Sequence, residues 1–149
     1  RRRRNSGNIL GMSIYTPSHW SVFSFCGLLG FESDRIRGGG DGCRGRGGPL
    51  LAADCGSNVA FQGETNISIY TSSEWAERAF CKICGSHLFY RLKHDGKHIV
   101  PAGLFRNGPD FNLDHQIFID EKPDYFSFAN KTHNMTGEQV FAQAQADQP

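Results

Sequence analysis

Short runs of alternating hydrophobic and polar residues recur along this chain, separated by glycine, proline and polar residues. Alternation with a period of two is typical of a β-strand that buries one face. The clearest case is the segment 66–70, where Ile67 and Ile69 alternate with polar residues. Comparable patterns predict further strands over residues 21–26, 50–54, 58–62, 97–104 and 116–119.

Helical signals are fewer and shorter. The stretch Gly137–Ala146 predicts a short terminal helix. A cap at Ser72 or Ser73 predicts a brief helical turn that ends at Ala76, because serine side chains accept hydrogen bonds from the first N–H groups of a helix.

The turn signals between these segments favour a β-rich fold. Asp95-Gly96 is a hairpin-turn pair, and we expect the flanking His94 and His98 to face solvent. Twelve Phe and 18 Gly among 149 residues suit short strands packed by bulky side chains. The expected fold class is therefore all-β, and the length predicts a single domain.

The N-terminal third has a different composition. Residues 35–48 are rich in Gly and Arg and cannot bury apolar area, which predicts a mobile loop. Residues 1–11 are expected to be a disordered leader and residues 12–149 the domain. Residues 1–46 carry eight Arg against three acidic residues, a charge of +5, while the remainder carries −4.

Composition also bears on partners and location. The net charge is only +1, so the chain as a whole is not drawn to nucleic acid, and we rank nucleic-acid binding through the Arg-rich segment lowest. No apolar run approaches the ~20 residues that span a bilayer, so no membrane partner is expected. The predicted location is the cytoplasm.

The strongest chemical signal is Cys81-Lys82-Ile83-Cys84-Gly85. Two cysteines at this spacing, on a tight turn that glycine permits, form half of a tetrahedral zinc site. Phe80 before the turn and residues 86–92 after it predict the strands of a hairpin. Buried thiols and a redox pair are the alternatives, but a redox pair belongs in a βαβ context that the pattern does not predict.

A series of motifs from Gly48 onward resembles the glutathione-dependent formaldehyde-activating enzyme family, which includes centromere protein V. The resemblance covers about 75 residues and implies an all-β, zinc-clipped "tent" of small antiparallel sheets. The matching pieces are Gly48-Pro49, Tyr70-x-Ser72-Ser73, Arg78-x-Phe80-Cys81-x-x-Cys84-Gly85-Ser86-x-Leu88, Pro109-Asp110, His115-x-Ile117-Phe118 and Asp120-x-Lys122-Pro123.

The resemblance implies a structural zinc held by Cys26, Cys81 and Cys84. The family's remaining cysteine position falls on Ser24, so the fourth ligand stays open between water, a nearby histidine and Cys55. Cys55 alternatively is a small strand residue.

The resemblance further implies a carbon–sulfur lyase that acts on S-hydroxymethylglutathione or a related thiol adduct, with glutathione or another small thiol as partner. Family enzymes hold the catalytic zinc with three cysteines before the Gly-Pro turn, and here Cys43 alone lies in that interval. The alternatives are an exposed loop thiol at Cys43 and a non-catalytic, zinc-stabilised binding module. The sequence departs from the family pattern at two places, the cysteine position occupied by Ser24 and the cysteines missing around Cys43. Because both lie within residues 22–47, we also hypothesise that this segment is translated out of frame, which resequencing of the coding DNA tests.

Overall fold

A computed structural model describes residues 49–105 and 111–146 in full, and residues 5–9, 12–16 and 21–25 as backbone strands. The elements within those ranges are β-strands joined by short turns, with one α-helix near the end of the chain. They are β1 (Asn5–Ile9), β2 (Met12–Thr16), β3 (Ser21–Phe25), β4 (Leu50–Asp54), β5 (Ala60–Phe61), β6 (Ile67–Thr71), β7 (Ala76–Cys81), β8 (His87–Leu92), β9 (His98–Pro101), β10 (Asn112–Ile117), β11 (His133–Met135) and α1 (Gly137–Ala146). The chain divides into two compact units: the first contains β1, β2 and Ala52–Asn112, and the second contains Leu113–Pro149.

Antiparallel strands dominate the first unit. Its larger sheet has the strand order β4-β9-β8-β7-β6, in which β6 to β9 follow one another as hairpins. A smaller antiparallel sheet has the order β1-β2-β5. The prediction of an all-β fold built from small antiparallel sheets is confirmed, whereas the zinc clip stays a prediction.

An aromatic cluster fills the core of this unit. Phe89 is 2% exposed, and its ring stacks on Phe61 with centroids 4.7 Å apart. The ring of His98 packs edge-on against Phe89 at 5.0 Å. The expectation that His98 faces solvent is wrong, because β9 begins at His98 and the turn ends one residue earlier, where Leu92 N–H donates to Lys97 C=O over 2.9 Å. Burial lowers the pKa of His98, so the ring is neutral at physiological pH.

Several strands differ from their predicted bounds. The helical turn predicted to end at Ala76 is absent from the described residues: the N–H groups of Ser72 and Ser73 both donate to Ala76 C=O, which closes the β6–β7 hairpin instead. The strand predicted over 97–104 stops at Pro101 and continues as a 3-10 turn, Ala102–Leu104. Only Ala60–Phe61 of the segment 58–62 pairs as a strand.

The second unit places β10 beside β11 in parallel, with His115 opposite His133. The strand predicted over 116–119 lies earlier, because Phe118 adopts a left-handed conformation (φ 56°) that ends β10. Helix α1 has the predicted bounds and starts at Gly137, where a Cβ would lie 2.9 Å from the Phe118 ring. None of the helices in the described part of the chain has the length and apolar character to cross a bilayer.

Candidate functional site

The turn between β7 and β8 carries Cys81 and Cys84. Cys81 N–H donates to Ser86 C=O over 2.8 Å, and Gly85 N–H donates to Cys81 C=O over 2.8 Å. Gly85 adopts a left-handed φ of 73°, which glycine reaches without the strain that a Cβ causes. The tight turn expected from the spacing of the two cysteines is thus present.

A β-bulge fixes this turn to the core. Ala79 pairs with Phe89 but the next residue, Phe80, pairs with His87, so Leu88 is an extra residue on β8. Leu88, Phe89 and Tyr90 are all buried, so β8 is covered on both faces directly after the bulge. The strand that follows the cysteines is therefore anchored immediately after the turn.

Lys82 ties the turn to the neighbouring 3-10 turn at Glu64–Asn66. Its backbone N–H donates to Asn66 C=O over 2.9 Å, and its Nζ donates to Thr65 C=O over 2.8 Å. Ile83, by contrast, projects into solvent with 75% of its surface exposed. The backbone of the turn is held on one side while its tip stays accessible.

The two thiols have unlike surroundings. Cys81 is buried at 1% exposure, whereas Cys84 is exposed and its Sγ lies 3.2 Å from Ser86 Oγ. The pKa of Cys84 is lowered, first by the Ser86 hydroxyl, next by the backbone N–H of Ser86 and then by the Cys81 thiol. A thiol that ionises readily is suited to bind metal, since the thiolate is the ligand. Sequence reasoning missed this contribution of Ser86, although its place directly after Cys84-Gly85 was visible.

This donor set fits one half of a tetrahedral zinc site. Cys81 and Cys84 lie on one tight turn at the spacing by which two thiolates are presented to one zinc ion. Across residues 49–105 and 111–146, no group of three or more His, Cys, Asp or Glu residues gathers in metal-binding geometry. Cys26 and Cys43 lie outside the described residues, so their predicted roles stay predictions.

Cys55 lies just after β4, in surroundings unlike those of Cys84. Its thiol is buried and donates to Ala53 C=O over 3.6 Å. Burial, and secondarily the charge of Asp54, raises the pKa of Cys55 to about 12. The thiol is protonated at neutral pH, which agrees with the interpretation of Cys55 as a small packed residue.

Comparison with known proteins identifies a relative of this chain. No family model matches the chain. The chain is 37% identical over 94 residues to a protein of Schizosaccharomyces pombe that is named an uncharacterised lyase, and the match spans 62% of this chain and 68% of that protein. Identity at this level over so much of both sequences indicates common descent. The chain therefore belongs to the same protein family as this yeast lyase.

Proposed function

We propose that this protein is a zinc-binding carbon–sulfur lyase that acts on small thiol adducts, with S-hydroxymethylglutathione as the first candidate substrate. The observation that carries the proposal is the Cys81–Cys84 turn, which presents a buried and an exposed thiol together. The yeast relative supports the reaction class by its name alone. The resemblance to formaldehyde-activating enzymes supplies the substrate class, and the proposed location is the cytoplasm.

The proposal assigns the cysteines to two zinc sites, one structural and one catalytic. Cys81, Cys84 and Cys26 would hold the structural ion, with Ser86 lowering the pKa of the Cys84 thiol. Cys43 would take part in a second site, where a bound zinc supplies Lewis acidity at an open coordination position.

The proposed reaction is balanced without an oxidant or reductant. In the synthetic direction the glutathione sulfur forms a bond to the carbonyl carbon of formaldehyde, and the carbonyl oxygen takes up the proton that the thiol gives up. In the lyase direction the same C–S bond breaks with its electron pair going to sulfur, the hydroxyl proton passes to that sulfur, and the hydroxyl oxygen becomes the carbonyl oxygen of formaldehyde. Lowering the pKa of the substrate thiol favours the attacking thiolate.

A second candidate function is a non-catalytic zinc module. It is favoured by one observation: Cys43 is the only cysteine between Cys26 and Cys55. A single thiolate is a poor holder of zinc, because catalytic zinc sites use three protein ligands. In this alternative the ion at Cys81 and Cys84 stabilises the fold, and the surface binds a partner.

Metal content separates the candidates. Protein purified with zinc is measured for bound metal and compared with Cys84→Ser and with Cys55→Ser, which makes the same chemical change at a protonated, buried thiol. Two zinc ions per chain support the lyase and one supports the module. Absence of zinc rejects both. We expect Cys84→Ser alone to lose metal.

Activity is tested on the zinc-loaded protein by following adduct formation from glutathione and formaldehyde with NMR. A rate above that of the protein-free mixture, lost in Cys43→Ser, supports catalysis. A rate equal to the protein-free mixture rejects the lyase and leaves the zinc module to be judged by its metal content.

A further inference from the structure

Strand β6 lies at an edge of the larger sheet of the first unit, as far as the structure describes the chain. It pairs with β7 on one side, in an unbroken antiparallel register from Ile67–Cys81 to Thr71–Glu77. No strand of the described ranges pairs with its other side. An edge strand presents N–H and C=O groups with which a further strand can pair.

The hydrogen bonds at the two ends of β6 show which of its backbone groups point outward. Lys82 N–H donates to Asn66 C=O over 2.9 Å, and Ser72 N–H donates to Ala76 C=O over 3.2 Å. Residues that bond to the neighbouring strand alternate along an antiparallel pair, so the even-numbered residues of β6 bond to β7. The odd-numbered residues therefore point their N–H and C=O groups away from β7: Ile67, Ile69 and Thr71.

Strand β6 has none of the features that usually keep an exposed strand edge from pairing. Charged side chains, proline and bulges are the common protections. The sequence of β6, Ile-Ser-Ile-Tyr-Thr, contains no charged residue and no proline. Its register with β7 has no bulge, since the bulge of this region lies between β7 and β8. Ile69, at the middle of the strand, is 47% exposed.

The pattern of side chains along β6 matches an antiparallel copy of itself. A two-fold axis at Ile69 places the Ile69 residues of two copies opposite each other, and Ile67 of each copy opposite Thr71 of the other. These pairs join β-branched side chains, which pack well across strands, and none of them brings like charges together. Each pair can exchange both N–H···O=C bonds, because the outward groups of the odd-numbered residues meet. An unrelated peptide has to supply a matching uncharged strand, whereas a second copy always carries one.

We propose that two copies of this chain associate through β6, in antiparallel pairing centred on Ile69. The larger sheets of the two copies then form one continuous sheet across the two-fold axis. The contact is a pair of short strands, smaller than the interface of an obligate dimer, so we expect reversible association that depends on concentration. The inference goes beyond the proposed lyase function and does not depend on zinc.

The association is measured by analytical ultracentrifugation of the whole, zinc-loaded chain over a range of concentrations. Hydrogen exchange followed by NMR reports on the edge itself: the amides of Ile67, Ile69 and Thr71 should exchange slowly only at concentrations where the dimer forms. A protein that stays monomeric up to its solubility limit overturns the proposal. Slow exchange of these amides in the monomer also overturns it, because another segment or molecule would then cover the edge.

Paired charge variants test the register. Ile69→Lys and Ile69→Glu each place like charges opposite each other at the two-fold axis, so the dissociation constant of each variant alone should rise about tenfold or more. An equal mixture of the two variants should dimerise again, because opposite charges then face each other. Circular dichroism checks that both variants are folded. Thr71→Pro removes an outward N–H without a bond to β7, and it should also weaken association if the Ile69 variants do not fold.

Ile83→Lys is the matched control, since it makes the same change at another exposed isoleucine, on the cysteine turn. This variant should associate like the wild type. Association that is unchanged in folded Ile69→Lys and in Thr71→Pro would place the interface elsewhere and overturn the proposal. A mixture of the folded Lys and Glu variants that stays monomeric would equally overturn it.

Discussion

Two regions of the first unit each present a cysteine, and they give it opposite properties. At the end of β4, Cys55 is 3% exposed and its pKa is raised to about 12, chiefly by burial. On the β7–β8 turn, Cys84 is exposed and its pKa is lowered, chiefly by the Ser86 hydroxyl. The same side chain is thus a packed, protonated thiol in one place and an exposed thiol with a lowered pKa in the other. The comparison shows that hydrogen bonding and solvent exposure, rather than residue type, set how readily these two thiols ionise.

The largest expected effect is the loss of the turn's cysteines. Cys84→Ser or Cys81→Ser should unfold or aggregate the protein, or lower the melting temperature by about 10 °C or more, because structural zinc contributes directly to folding. Thermal denaturation with and without added zinc measures this. Cys55→Ser is the matched change in the other region, and the melting temperature of this variant should still rise when zinc is added.

Cys43→Ser should leave the melting temperature unaltered, since its proposed role is not structural. An unchanged melting temperature in Cys84→Ser would show that no structural metal is held at this turn. Cys84 and Cys55 would then contribute to stability in the same way, without metal.

Protection of Cys55 should depend on the aromatic core. Phe89→Ala should lower the free energy of unfolding by about 3–5 kcal/mol, because it empties the space between Phe61 and His98. Alkylation of Cys55 by iodoacetamide, resolved by peptide mass spectrometry, should then accelerate at least about a hundredfold. Ile83→Ala at the exposed turn is the control and should not alter it. Rapid alkylation of Cys55 in the unmodified native protein would contradict its burial.

Alkaline pH should destabilise the protein through Cys55. The folded pKa of about 12 lies above the ordinary value of 9.0, so the folded state favours the protonated thiol. That contribution is fully present below pH 9 and is lost as the pH rises toward 12. Between pH 9 and 12 the free energy of unfolding of the wild type should fall more steeply than that of Cys55→Ala. The difference between the two slopes should be about 1.4 kcal/mol per pH unit. Urea denaturation at several pH values gives the pH dependence of the free energy of unfolding for the wild type and for Cys55→Ala. Equal slopes would refute the raised pKa of Cys55.

The smallest effect is expected at the bend of the cysteine turn. Gly85→Ala should cost about 1 kcal/mol, because its left-handed φ of 73° disfavours a Cβ although no atom obstructs one. Gly103→Ala is the matched control, since its surroundings are equally open and its φ is ordinary. Urea denaturation of both variants measures the difference. Equal stability of the two would mean that the turn relaxes without strain.

Local signals in the sequence predicted much of the fold. Strand β4 and helix α1 have the bounds that the sequence indicated, because periodicity and the residues at their ends act over a few positions. The β7–β8 hairpin follows from Cys81-x-x-Cys84-Gly85 for the same reason. The error at Ser72 arose because a serine that suits a helix cap also suits a hairpin turn, and only the partner of its N–H distinguishes the two.

Contacts between distant residues could not be predicted. Gln116 meets Thr132 and Asn134, which are 16 and 18 residues away, and no short motif marks that meeting. His98 appeared exposed beside its turn, yet it packs on Phe89 across a neighbouring strand. The Cys81–Cys84 pair was evident from spacing, while further ligands of the proposed zinc ion would come from segments far away in sequence.

The extra residue at Leu88 lies between the cysteine turn and Phe89 of the aromatic core. Residues before it and residues after it follow different face alternations, so a one-residue insertion or deletion in the loop need not rotate Phe89 out of the interior. The length of the cysteine turn is therefore less tightly constrained than the register of the strand that carries Phe89.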